Sequence, residues 1–378
     1  MKVNFGKKTI LGAFTLAGTM IGAGMLGLPF VFSRSGFLIG IFWLVLLGLI
    51  MTLVHLYMGE IILRTRGEHQ LPGYAEKYLG VAGKKVMFFA MFFGIYSALV
   101  AYLIGEGQSL SYFFMGNLGY AIVFGCLFWF IMTLLLRNGL KGLKKLESWS
   151  IPAVIIIVFI LLFYLLPQIK FENLAPMNYD FFFVPLGVTL FALLGFSSIP
   201  EVGRVMKGQE KNMKFALLIG SLIPIVLYAI FGFAFVGVFG NAVKEVATIS
   251  VGRYASLLGV LTMVTSYFVL SFALKDMFEV DLKMKKQTIF FLVYILPIIL
   301  YLVISLFDLV DFVRVLGIGG VISGGITGML ILLMNYKSKK YAERTPEYWI
   351  PINWFIIAFI SLLFIIAVII QLGILDVI

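Results

Sequence analysis

The chain has very little with which to do covalent or metal chemistry. Its 378 residues include one cysteine, Cys126, and two histidines, His55 and His69. A lone cysteine in an apolar stretch supports neither a disulfide framework nor a thiolate cluster. The histidines form no metal-ligand pair, and there is no HExxH and no Cys–His combination. An enzyme working through a metal or an activated nucleophile is not expected. Charge is scarce as well: Asp, Glu, Lys and Arg make up 12% of the chain. A soluble protein of this length needs far more polar surface. Long polar or low-complexity segments, which would mark a linker, are also missing.

Hydrocarbon takes their place. Hydrophobic residues make up 62% of the chain, and the mean hydropathy is +1.07. This is the composition of an all-α polytopic membrane protein, expected as one transmembrane domain over residues 1–378 and located in the cell membrane. A bilayer span needs about 20 mostly apolar residues. Eleven such runs are predicted, at 9–33, 37–63, 86–114, 118–137, 149–167, 182–206, 214–239, 254–277, 287–306, 312–334 and 349–373. They are too long and too unalternating for barrel strands. The first is also longer than the core of a secretory signal, about 7–15 residues, so it is read as a retained span. The loop between the second and third contains "LPGYAEKYLG" and is predicted to form a short amphipathic helix at the inner surface.

The net charge of +11 does not call for nucleic acid. With the N-terminus placed in the cytoplasm, the segments on the outer side of the membrane hold only Arg34, Lys170, Lys244, Arg253 and Arg314 of all the basic residues. The rest lie on the cytoplasmic side, as the positive-inside rule requires.

Within the first span, "GTMIGAGMLGLPF" places Gly22, Gly24, Gly27 and Pro29 where a helix should continue. Unwound backbone at membrane depth persists only where it is buried in protein or lines a cavity. A break near Ile21–Gly24 would aim the amides of Gly22, Ala23 and Gly24 at the membrane centre, a seat for a carboxylate. The sixth span carries "LLGFSSIPEV", and Gly195–Pro200 repeats the spacing of Gly24–Pro29. An offset of five spans gives the second copy the opposite orientation. Two interrupted helices so related point to the binding site of a secondary transporter. The predicted repeats run over 9–167 and 182–334, with 349–373 as an added helix. A channel, by contrast, would repeat charged or carbonyl rings through oligomeric symmetry.

"GTMIGAGMLGLP" resembles the first-helix motif of permeases in the amino acid–polyamine–organocation superfamily. The hydroxy- and aromatic-amino-acid permeases and the wider amino-acid/auxin branch are the most alike. "YSALVAYLIGEGQSLS" in the third span and "TSYFVLSFALKDMF" in the eighth are similar to the same proteins. The resemblance implies a leucine-transporter-type fold with a five-plus-five inverted repeat. It implies an amino acid, neutral or aromatic, held between the first, third, sixth and eighth spans.

Tyr102, Glu106 and Ser109 form one stripe of the third span. The resemblance implies that Tyr102 donates its hydroxyl to the substrate carboxylate. It also implies that Phe196, Ser197 and Ser198 line the amine and side-chain end. In the eighth span Thr262, Thr265 and Ser266 share a face. By resemblance, Thr265 and Ser266 would join the carbonyls of Gly18 and Ile21 around a sodium ion. Proton-coupled relatives place a lysine from the fifth span there, and "WSIPAVIIIVFILLFYLLP" has none, so sodium is expected. A proton carried by Glu106 or Glu201 stays open, as does exchange or uniport without an ion. Among the remaining charges, Glu60 is expected to pair with Arg64, Glu201 with Arg204, and Asp311 with Arg314. The glycines of the tenth span (Gly317, Gly319, Gly320, Gly324, Gly325 and Gly328) are expected to form a packing face.

Overall fold

The computed structural model describes residues 6–137 and 143–373, and among these there is no β-strand. Helices α1 (Lys7–Met20) and α2 (Ala23–Ser35) are bent by 58° at the break between them. Next come α3 (Phe37–Arg64), α4 (Leu71–Met115), α5 (Ala121–Arg137) and α6 (Leu143–Leu165). Helices α7 (Val184–Ala192) and α8 (Ile199–Val205) form a second interrupted pair. They are followed by α9 (Met213–Phe239), the short α10 (Thr248–Val251) and α11 (Arg253–Asp276). Helices α12 (Lys286–Phe290) and α13 (Leu296–Leu306) join through a π-helical turn, as do α14 (Phe312–Gly319) and α15 (Gly325–Lys340). Helix α16 (Trp354–Gly373) ends the described chain.

Among the described residues eight helices are long and apolar enough to cross a membrane, and α1 with α2 makes a ninth span if counted as one. Two shorter apolar helices, Ala121–Leu136 and Val154–Gln168, stand where the fourth and fifth spans were expected. The amphipathic helix predicted before the third span is the opening of α4. Gly80, at φ 78°, separates Leu71–Leu79 from the spanning part. A left-handed residue inside a helix suits glycine, which has no Cβ to clash.

Apolar residues such as Leu49, Phe163, Phe355 and Ile369 are exposed on the outer faces of their helices. That is the surface a bilayer covers. The centre is built from α1, α2, α4, α7, α9, α11 and α14, and its packing relies on small residues. Gly319 faces Ser97 of α4, with only 2.6 Å between an ideal Cβ there and the Ser97 Cβ. Gly328 lies against the ring of Phe364 in α16. The tenth-span glycines are thus a packing face, as expected.

One end of the bundle carries a dense polar knot. Glu60 is fully buried. It accepts hydrogen bonds from Arg64 (2.8 and 2.9 Å), Asn335 (3.3 Å) and the Ile350 amide (3.1 Å), and Lys339 lies 3.3 Å away. The hydroxyls of Tyr57 and Tyr348 donate to Pro351 and Leu56 carbonyls at 2.8 and 2.7 Å. The expected Glu60–Arg64 pair is therefore the core of a clasp that fastens residues 341–353 beneath α3. A buried carboxylate persists when so many donors satisfy it. At the same end Arg204 meets Glu201 at 2.9 Å, as expected, and Glu68 at 3.1 Å. Lys8 donates to the Lys207 carbonyl at 2.7 Å. This is the basic end of the molecule.

Candidate functional site: two interrupted helices

Helix α1 closes with the Ile21 amide donating to the Ala17 carbonyl at 2.9 Å. Ile21 is extended, Gly22 is non-helical at φ −156° and ψ −145°, and α2 restarts at Ala23. The break thus precedes Gly24, and Pro29 lies within α2. The restarted helix presents the amides of its first turn, with the partial positive charge of a helix N-terminus. The hydroxyl of Tyr102, from α4, engages the Ala23 amide and the Ser266 hydroxyl of α11. An ideal Cβ on Gly22 would lie 3.0 Å from the Tyr102 hydroxyl oxygen and 3.2 Å from that of Ser266. Gly22, Ala23, Tyr102 and Ser266 therefore meet at one point. Gly24 packs against the end of α7, its ideal Cβ only 2.6 Å from the Ala192 Cα.

The second break runs over Leu193–Gly195, followed by a 3-10 turn at Phe196–Ser198. Gly195 lies inside this break, whereas Gly24 follows the first. The shared Gly–Pro spacing therefore falls at different places in the two breaks. The three residues expected to line this side diverge. Phe196 is buried edge-on against the ring of His55, 5.2 Å between centroids. Ser197 is exposed. Ser198 turns its hydroxyl back to the Gly195 carbonyl at 2.9 Å.

One residue the sequence reading missed ties the breaks together. Tyr228 of α9 is fully buried, its hydroxyl oxygen 2.7 Å from the Met20 carbonyl and 3.0 Å from that of Ala192. A hydroxyl has one proton to donate, so it serves one carbonyl at a time. The available signal was a tyrosine in mid-span, whose polar tip needs a buried partner.

The expected cation residues lie along the same wall. Thr265 and Ser266 both direct their hydroxyls to the Thr262 carbonyl, at 3.4 and 3.1 Å. Ile21 is at the first break and Gly18 in the last turn of α1. Glu106, one turn beyond Tyr102, is fully buried, and neither carboxylate oxygen has a hydrogen-bond partner. Glu201 is exposed beside Arg204.

A strap of residues 240–252, containing α10, covers the end opposite the basic one. The Ala247 amide donates to the Leu26 carbonyl of α2 at 3.0 Å. Glu245 accepts from the Phe312 amide at 3.2 Å. Asp311 caps α14 through the Arg314 amide at 2.8 Å and faces the Arg314 guanidinium at 3.5 Å, the pair expected from the sequence. Burial, then repulsion from Asp311, pushes the Glu245 carboxyl up to about 7. Burial also raises Asp311.

The two sides of the site differ in access. Towards the strap, Leu26, Glu106, Ser109, Thr248 and Phe312 are buried. Towards the basic end, Ser197, Glu201, Arg204 and Gly208 form an exposed stripe, and Gly18, Thr265 and Ser266 are half-buried. The strap side of the site is therefore buried, and the side towards the basic end is part-exposed.

A profile of the tryptophan/tyrosine permease family matches residues 6–371. The chain belongs to that family. The tyrosine-specific transport system 1 of Haemophilus influenzae is 25% identical over 375 residues, covering 90% of each chain. The glutamine transporter 2 of Aliivibrio fischeri is 26% identical over 238 residues, 60% of each chain. The crystal structure of MhsT in complex with L-phenylalanine shares the fold. Its TM-score is 0.68 at 15% identity, over 98% of this chain and 99% of that one. Family and apolar helices together make the protein a multi-pass integral membrane transporter and not an enzyme.

Proposed function

We propose that the protein imports a neutral or aromatic amino acid by alternating access, driven by a cation gradient. The substrate carboxylate rests on the amides of Gly22, Ala23 and Gly24 and takes the Tyr102 hydroxyl. Its amine and side chain extend towards Phe196, Ser197 and Ser198. The observation that carries this reading is the contact of Tyr102 with the first amide of α2. A ligand carboxylate can take up the donors now turned on one another. Glycine at the break lets the backbone approach a ligand without a Cβ between. The relatives named for tyrosine and glutamine transport support an uncharged amino acid.

In the first reading the coupling cation is sodium, held by the Gly18 and Ile21 carbonyls with Thr265 and Ser266. Its support is the lack of a lysine in the fifth span and the position of Ser266 at the break. A second reading, proton coupling, draws support from the buried, unpartnered carboxylate of Glu106. The test is uptake by proteoliposomes of L-tyrosine, L-tryptophan, L-phenylalanine and L-glutamine, with sodium and pH gradients imposed separately. Accumulation of at least one of them against its gradient is expected. Failure to move any of the four overturns the proposal.

A further inference from the structure

Three oxygen-bearing side chains on the strap side of the first break have nothing to bond. Glu106 is fully buried, and both its carboxylate oxygens lack a partner. Ser109, one turn along the same face of α4, is fully buried with an unpartnered hydroxyl. Thr248, in the strap helix α10, is 2% exposed, and its hydroxyl is also unpartnered.

The two hydroxyls converge on one place. An ideal Cβ at Gly259 of α11 lies 2.8 Å from the Thr248 hydroxyl and 3.4 Å from the Ser109 hydroxyl. The two hydroxyls therefore flank the same glycine. Glu106 stands between Ser109 and Tyr102 at helical spacing. Tyr102 faces Ser266 and Ser109 faces Gly259, both on α11. Glu106 thus faces α11 between those levels. The nearby walls are apolar: Leu26, Met263 and Phe312. The charged groups of the neighbouring elements are Lys244 and Glu245 of the strap, Asp311 and Arg314 at the mouth of α14, and Arg253 at the start of α11, which donates to the Phe113 and Phe114 carbonyls at the end of α4.

An ionised carboxylate in such surroundings is strongly disfavoured unless a cation joins it. Carboxylate and hydroxyl oxygens are the ligands that hard cations prefer. We infer that Glu106, Ser109 and Thr248 form a cation site, taking a proton or a sodium ion, whose filling helps to seat the strap. It is separate from the Thr265–Ser266 pair, which lies at the level of the Tyr102 contact. The inference rests on the transport reading, because the bound cation is the one that accompanies substrate. Thr248 gives the site its physical link to closure: a cation held between α4 and α10 pulls the strap onto the bundle.

The test is the affinity of the purified full-length protein for L-tyrosine, in acid and alkaline buffers, each with sodium or with choline. The cation that fills the site should tighten wild-type binding by roughly 5–150-fold, the usual span of coupling between two sites. Glu106→Gln should reduce that dependence to less than about twofold. A response to acid alone identifies the proton. A response to sodium at constant pH identifies sodium, and Ser109→Ala and Thr248→Ala then raise the half-saturating sodium concentration on the order of tenfold. Should Glu106→Gln fail to fold, Glu106→Asp and Thr248→Ala answer in its place, and an unaltered cation dependence in both overturns the site. Wild-type dependence retained in Glu106→Gln overturns it as well. So does a wild type that binds L-tyrosine equally under all conditions, an outcome that leaves amino-acid binding intact. A wild type that binds none of the four amino acids of the uptake panel overturns the transport reading instead.

Discussion

A methyl group added at Gly22 meets the ends of side chains, whereas one added at Gly24 meets backbone. At Gly22 the neighbours are the Tyr102 and Ser266 hydroxyls, and both can shift. At Gly24 the neighbour is the Ala192 Cα, which can move only with its helix. Gly22→Ala is therefore expected to fold and to weaken L-tyrosine binding by about tenfold, or ~1.4 kcal/mol. Gly24→Ala is expected to lose about 1–3 kcal/mol of stability through overpacking. Thermal melts and binding isotherms separate the two, and a Gly24→Ala protein as stable as wild type refutes this packing argument. Both glycines are legible in sequence because glycine in mid-span has a local meaning. The orientation of hydroxyls is not legible. Ser198, Thr265 and Ser266 all bond their own backbone, and a short sequence does not tell that use from ligand binding.

The interrupted helices illustrate what an element-level reading can and cannot reach. The first break was visible in "GTMIGAGMLGLP" because the residues that end α1 lie next to those that start α2. Tyr228 was not visible, because its partner carbonyls lie 208 and 36 residues away. Tyr228→Phe removes the one donor that the buried Met20 and Ala192 carbonyls share, at a cost of about 1–3 kcal/mol. The expected outcome is slower maximal uptake with a smaller change in KM, since the hydroxyl holds the breaks to each other and not the substrate. A change in KM alone contradicts that role. The strap carries a pH dependence. The folded Glu245 carboxyl lies above its ordinary value of 4.5, at about 7. Its contribution to strap docking is fully present below 4.5 and is lost as pH rises through about 7. Thermal stability should fall across that interval, and Glu245→Gln should flatten the fall. Equal slopes in the two proteins exclude Glu245 as the cause.

For the whole molecule, its character as a series of apolar membrane-crossing helices was legible because hydropathy is summed along the chain. Which side of the site is the more exposed was not. That depends on how helices lean against one another, and no local run of residues encodes it. The exposed stripe through Ser197 predicts asymmetric access. With Cys126 replaced by serine, Ser197→Cys should react with an impermeant thiol reagent applied at the face bearing Glu201 and Arg204. The same reagent applied at the face bearing Glu245 should leave it unmodified, and L-tyrosine should slow the reaction. Equal labelling from both faces contradicts a site sealed by the strap.

The most direct measurement is an experimental structure of the full-length protein with L-tyrosine bound. The expected result places the ligand carboxylate within hydrogen-bond distance of the Ala23 or Gly24 amide and of the Tyr102 hydroxyl, with α1 and α2 still separate helices. A carboxylate bound elsewhere, or a first span wound continuously through Gly22, would contradict it.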